Sequence, residues 1–305
     1  MVFFRKILIL VVLLLAVDFL AGAVLKHFYF RQKSGIDYQT IYSVEKANED
    51  ILFFGSSRAA HHYVPDIFAD KYAMSAYNTG RDGNYILYGY CLAKCIFERH
   101  QPKLAIIDVS RNEFQRKEGS YDYLSSLLPF YGNYESIRDI IDKRSRFEPV
   151  KLFFHTYPYN SLFPVIALNV IREKSKALNI KGYIPLYRSI DRPAKVISKE
   201  PDYELDPYLV DTFRQFIKKC KENGIAVAVV CSPYFDKYEQ EDATLIKVKE
   251  ICSEESVTFL DYSQDARFTG NQKKFDDYNH LNNDAAKEYS AICSDTLRIL
   301  QHKIN

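Results

Sequence analysis

Four short segments of this chain carry the residue types that acyl transfer through a serine requires. They are Gly55-Ser56-Ser57-Arg58, the stretch Asn78-Thr79-Gly80-Arg81-Asp82-Gly83-Asn84, Ser110-Arg111-Asn112-Glu113, and Asp277-Tyr278-Asn279-His280. A serine hydroxyl is a weak nucleophile until a neighbouring imidazole takes its proton, and the imidazole works best when a carboxylate fixes its tautomer. Asp277 and His280, three apart, fit side by side on one loop, with Ser57 as the nucleophile. A tetrahedral oxyanion then needs donors already in place, and the N–H groups of Ser57 and Gly83 with the Asn112 amide suit that role. Plainer roles compete. Ser57 would serve equally as a helix N-cap, and Asn112 as a turn residue. His61 and His62 are rival bases, expected on the helix after Ser57, pointing away from it and partly exposed. Asp82 and Asp276 are rival carboxylates. Arg58, Arg81 and Arg111 each sit in one of these segments and would suit an anionic substrate, or else pair with Asp82, Glu113 or Asp108.

The elements between the segments must bring them together. Apolar runs at 51–54, 75–78, 104–107, 225–231 and 257–260 read as buried strands. They alternate with helical patterns, among them 85–100, 207–223, 241–253 and 284–301. Five strands alternating with helices predict an α/β three-layer sandwich around a parallel sheet. In such sheets ligands bind outside the carboxyl ends of the strands, which is where the first three segments fall; the fourth lies between the last strand and the last helix. The interval from about 114 to 205 breaks the alternation, and a structureless loop of that length is uncommon. It reads as a helical insertion capping one end of the sheet, with helical pieces near 134–143 and 160–178. Its Tyr157-Pro158-Tyr159 and the tyrosines of 183–187 read as packing, with sugar stacking as the alternative.

Residues 7–25 are apolar apart from Asp18 and would span about 28 Å as a helix. With Arg5 and Lys6 ahead of them they predict an uncleaved, single-pass transmembrane signal anchor over 1–25. Residues 26–48 then form a polar stalk, and 49–303 an extracytoplasmic domain, periplasmic or at the cell surface. Ala21-Gly22-Ala23 resembles a processing site, but the apolar run continues past it. A single helix would accommodate Asp18 by tilting or snorkelling. Lys+Arg at 41 against Asp+Glu at 39 gives a net charge of +2, which argues against nucleic acid as a partner. The six cysteines lack metal-ligand spacing and read as buried thiols. No metal or organic cofactor is expected.

In this order the segments resemble the blocks of the SGNH (GDSL-type) hydrolase and acyltransferase superfamily. Gly55-Ser56-Ser57 matches its Gly-Asp-Ser block, Gly83 its oxyanion glycine, Asn112 the asparagine of Gly-x-Asn-Asp, and Asp277-x-x-His280 its Asp-x-x-His. Ser56, Ser110 and Glu113 depart from the pattern. The resemblance covers about 50–113 and 225–300 and implies a flavodoxin-like sheet with catalytic Ser57, Asp277 and His280. The anchored layout with Gly-Ser-Ser is similar to the members that partner multi-span membrane O-acyltransferases in cell-envelope polymer acylation. An esterase or O-acyltransferase acting on acylated envelope polysaccharide is therefore expected. The alternative is a catalytically silent binding or assembly component of the same fold.

Overall fold

Strands of three to six residues, most buried on both faces, form the centre of the computed structural model, which describes residues 1–117, 121–171, 181–200 and 202–300. They are β1 (Ile51–Phe54), β2 (Ala76–Asn78), β3 (Leu104–Asp108), β5 (Ala226–Cys231) and β7 (Thr258–Asp261). Their order is β2-β1-β3-β5-β7, and every neighbouring pair is parallel. This is the predicted five-stranded parallel sheet, with the strand order of the flavodoxin-like type. β4 (Val196–Ile197) and β6 (Lys237–Tyr238) add a separate parallel pair that the sequence pattern did not suggest.

Successive side chains of a strand point to opposite faces, and β1 shows how this builds the two helical layers. The Phe53 ring packs edge-on against Phe68, with centroids 4.8 Å apart, on the side of helix Pro65–Tyr72. Phe54 meets Phe216 at 5.2 Å on the side of helix Pro207–Glu222. Helices Ser57–His62 and Asn283–Thr296 share the first layer, and Ile86–Phe97 the second. Helix Asn283–Thr296 supplies Tyr289 and Cys293 to the core.

The chain forms two compact units. The sheet unit comprises Ser43–Ser120 and Leu178–Asn305; the other joins Met1–Tyr42 to Tyr121–Ala177. Within the second, Val2–Tyr29 is a continuous helix, long and apolar enough to cross a membrane. In the stretch read as a polar stalk, this helix runs on to Tyr29 and a second helix covers Gly35–Glu45. The predicted insertion is helical but finely divided, with short turns from Asp122 to Tyr159 and a longer helix at Phe163–Ile171. Its central part groups with the N-terminal helix as one unit. The end of the helix expected over 160–178 lies outside the described residues. Tyr159 and Tyr183 are buried, in keeping with packing, whereas Tyr187 is exposed.

Gly80 lies against the backbone of helix Ser57–His62. A Cβ there would stand 2.6 Å from the Ala60 nitrogen and 2.8 Å from the Ala59 Cβ. Asn78 ties the same helix down by donating to the carbonyls of Ala59 (2.7 Å) and Tyr63 (2.9 Å). Gly80→Ala is expected to cost about 1–3 kcal/mol by overpacking. Gly132→Ala, where nothing lies within 4 Å, leaves stability unchanged. Denaturant titration of the two variants checks the contrast.

Candidate active site

Ser57 is the first residue of helix Ser57–His62, directly behind β1, and Ser56 is the N-cap. The Ser56 hydroxyl accepts from the Arg58 N–H at 3.4 Å, so capping leaves the Ser57 hydroxyl to another partner. That partner is His280, whose Nε2 lies 2.7 Å from Ser57 Oγ. The other ring nitrogen, Nδ1, is 2.8 Å from Asp277 Oδ2. Asp277 Oδ1 accepts the N–H groups of Asn279 (2.8 Å) and His280 (2.9 Å). This is an Asx-type turn that locks the carboxylate beside the ring three residues on.

Burial pushes the Asp277 carboxyl up. The hydrogen bond and charge of His280, with the two N–H groups, outweigh it and bring the pKa down to about 2. An ionised carboxylate only accepts, so Nδ1 of His280 carries the ring proton and Nε2 is left to accept from the Ser57 hydroxyl. Ser57, Asp277 and His280 are each partly accessible to solvent. The rival carboxylates are engaged elsewhere. Asp276 holds Arg188 through both side-chain oxygens, and Asp82 stands 3.3 Å from His61 Nε2.

His61 and His62 are buried, not partly exposed as expected. Their spacing held the signal: residues four apart on a helix share a face, so His61 comes round to the side of Ser57. Its ring meets that of His280 edge-on at 5.0 Å. Its Nδ1 lies 2.7 Å from the Ile184 carbonyl. Burial disfavours the charged ring, but the Asp82 carboxylate and the Ile184 carbonyl prevail and raise its pKa. His62 is the opposite case. Leu281 N–H donates to its Nε2 at 3.0 Å, so the proton sits on Nδ1 and points to Ser232 Oγ, 2.9 Å away. Complete burial, with Arg58 and the other histidines nearby, drives its pKa well down and keeps it neutral.

Arg58 does not reach out to a substrate. It is 3% exposed, and its guanidinium donates to the Ser232 carbonyl and hydroxyl, the Pro233 carbonyl and the Asn279 carbonyl. It stacks 3.6 Å over the Tyr234 ring and stands 4.0 Å from buried Asp108. Arg111 is buried as well. It pairs with Glu200 at 2.6 Å, donates to the Gln240 carbonyl and stacks on Tyr238. The cleft it borders also holds Glu239, Glu241, Asp261 and Asp265, an unfavourable setting for an anion. Both guanidiniums, expected to face a substrate, are thus taken up by contacts within the fold. Arg81 is partly exposed, and its N–H donates to the Gly55 carbonyl at 3.3 Å. That bond ties the Gly83 loop to the start of the Ser57 turn.

Gly83 has φ +71° and Asn112 φ +59°, both in the left-handed region that glycine and asparagine tolerate best. The Asn112 N–H donates to the Asp242 carboxylate at 3.3 Å. Among the described residues, no hydrogen bond joins its carboxamide to Ser57 or His280. Glu113 accepts the N–H groups of Ile86 (2.7 Å) and Ser110 (3.1 Å). Complete burial nonetheless raises its pKa to about 8. It therefore pins the third segment to the start of helix Ile86–Phe97. Among the described residues, no group of His, Cys, Asp and Glu is arranged to hold a metal ion.

No protein-family model matches this chain, and no curated protein does. A solved structure from Bacteroides fragilis, provisionally described as an acylhydrolase, is similar to 90% of this chain and 100% of its own, at 12% identity and a TM-score of 0.42. A likeness that loose carries no argument about function.

Two outcomes are expected from the site's electrostatics. Arg58→Ala strands Asp108 without its buried cation and should cost about 3–5 kcal/mol in denaturant unfolding. Unchanged stability with weakened binding of anionic esters alone would restore a substrate role. The Asp277 pKa is lowered on folding, from 3.8 to about 2. Its ionised form therefore stabilises the fold above about pH 4, and that stability is lost as pH falls from about 4 towards 2. Its side chain is 38% exposed, so solvent screening leaves on the order of 1 kcal/mol. Asp277→Asn should narrow the stability difference between pH 6 and pH 2.5 by that amount.

Proposed function

We propose that this protein is a membrane-anchored serine esterase or O-acyltransferase working through Ser57, His280 and Asp277, in the manner of the SGNH superfamily its motifs resemble. The observation that carries the reading is the unbroken relay from hydroxyl to imidazole to carboxylate, at 2.7 and 2.8 Å. Ser57 Oγ attacks an ester carbonyl while His280 Nε2 takes the hydroxyl proton. Collapse of the tetrahedral intermediate breaks the bond to the alcohol oxygen, and His280 returns the proton to the departing alcohol. That leaves the acyl group on Ser57. Water or a sugar hydroxyl then repeats the sequence in reverse and frees the serine. Asp277 holds the ring tautomer and balances the imidazolium.

The oxyanion would be met by the Ser57 and Gly83 N–H groups and the Asn112 amide. Asn112 already has a backbone turn that presents it at the end of β3, and closure of its side chain onto a bound ester completes the set. Helix Val2–Tyr29 supports anchoring with Arg5 and Lys6 on the cytoplasmic side and the sheet unit outside. An acylated envelope saccharide is the substrate this layout favours, with a multi-span acyltransferase as donor if the reaction is transfer.

A fluorophosphonate probe tests the chemistry directly. Labelling of the full chain in detergent is expected, with none for Ser57→Ala, and Asp277→Asn should retain about 10⁻³–10⁻⁴ of the wild-type turnover of a model acetyl ester. A well-folded wild type that takes no label would end the enzymatic reading and leave a binding component.

A further inference from the structure

The unit built from the N-terminal helix and the segment around 121–171 carries a second membrane-facing surface. Between Lys6 and Asp18 the helix has only eleven residues, about 16 Å, roughly half the hydrocarbon thickness of a bilayer. A spanning helix must therefore continue through residues 18–25, which puts Asp18 on the order of 10 Å inside the apolar layer.

Asp18 is not alone at that depth. Its carboxylate accepts the N–H groups of His155 (2.7 Å) and Thr156 (3.2 Å) and the Thr156 hydroxyl. Gly22 lets the chain approach, since a Cβ there would lie 2.4 Å from the His155 Cβ, and Phe19 packs edge-on against the His155 ring. At the end of the helix Tyr29 meets Tyr159 at 5.6 Å, and beyond it Gln32 accepts from Asn169 at 2.8 Å. The segment thus runs alongside the helix, with its turn at 154–156 the deepest point. Irregular backbone at membrane depth requires satisfied N–H groups, and Asp18 satisfies two of them. Asp18 is here a cap for a neighbouring turn; in the sequence alone it looked like an isolated charge left to snorkel.

Apart from Lys151 and His155, whose side chains are also exposed, the side chains that face outward around that turn are apolar. Val150 and Phe153 are each 63% exposed, Phe163 65% and Leu168 50%, with Phe154 and Val165 also exposed. In water this would be an unusual concentration of large apolar groups on one short stretch. Beside a spanning helix it is continuous with a surface that already meets lipid.

We propose that the segment from Val150 to Thr156 is embedded in the same leaflet that residues 18–25 cross, with bilayer hydrocarbon as its partner, so that the protein is held by a helix and a docked re-entrant element together. The proposal rests on Val2–Tyr29 spanning the membrane. The test uses the full chain in phosphatidylcholine vesicles, with one nitroxide-labelled cysteine at a time. All six native thiols are buried, so label goes to the introduced site. The positions are Val150→Cys, Phe153→Cys and Phe154→Cys, with Leu14→Cys and Lys218→Cys as references for the span and for water, and each variant is matched to wild type by its circular dichroism melt. The expected result is that 150, 153 and 154 behave like 14, relaxed by oxygen and shielded from a water-soluble nickel chelate, while 218 shows the reverse. Labels at 150, 153 and 154 open to the chelate, with 14 shielded, would overturn the embedded segment and leave the anchor standing. A label at 14 open to the chelate would overturn both.

Discussion

A proton can pass from a hydroxyl to an imidazole only across a hydrogen bond of about 3 Å, and here its two ends lie 223 residues apart in the chain. What sets that distance is the buried face of a single six-residue helix. Arg58 donates to the Asn279 carbonyl at 3.1 Å, and His62 accepts the Leu281 N–H at 3.0 Å. Both grips fall on neighbours of His280. The same two side chains meet at Ser232 behind β5. The helix that presents Ser57 thus holds the histidine loop from below, and one displacement would disturb the Ser57 hydroxyl and the His280 ring together.

Burying a guanidinium is costly unless its donors are used. Three carbonyls and a hydroxyl accept from its two terminal nitrogens, the Tyr234 ring covers one face, and Nε, which makes no hydrogen bond among the described residues, faces Asp108 at 4.0 Å. Asp108 is itself bonded to the Tyr63 hydroxyl at 2.6 Å and to the Ser232 N–H. The network joins the loops after β1, β3 and β5 beneath the site and gives a rigid floor, while the Ser57–His280–Asp277 relay above it keeps access to solvent.

The sheet was legible because its strands are short apolar runs separated by helical periodicity, a pattern that survives without tertiary information. The approach of Ser57 to His280 was legible too, since strand ends of a parallel sheet converge on one edge and the Asp277-to-His280 spacing suits an Asx turn. Arg58 and Arg111 were not: a charged residue in a loop reads as solvent-facing, and only the three-dimensional arrangement of carbonyls around it shows otherwise. The histidines were misjudged for a related reason, because polarity outweighed the helical spacing that turned His61 towards the site. Asp18 and the 154–156 turn are 137 or so residues apart, and nothing local links them. Val196–Ile197 and Lys237–Tyr238, two residues each, are too short to leave a periodic trace.

All six cysteines are buried, and burial raises the thiols of Cys95, Cys220, Cys252 and Cys293 far from ionisation at neutral pH. The thiolate is the species that exchanges or oxidises. Thiols held this way are kept from exchange for as long as the sheet unit stays folded, so any reagent that reaches them reports an opening of that core.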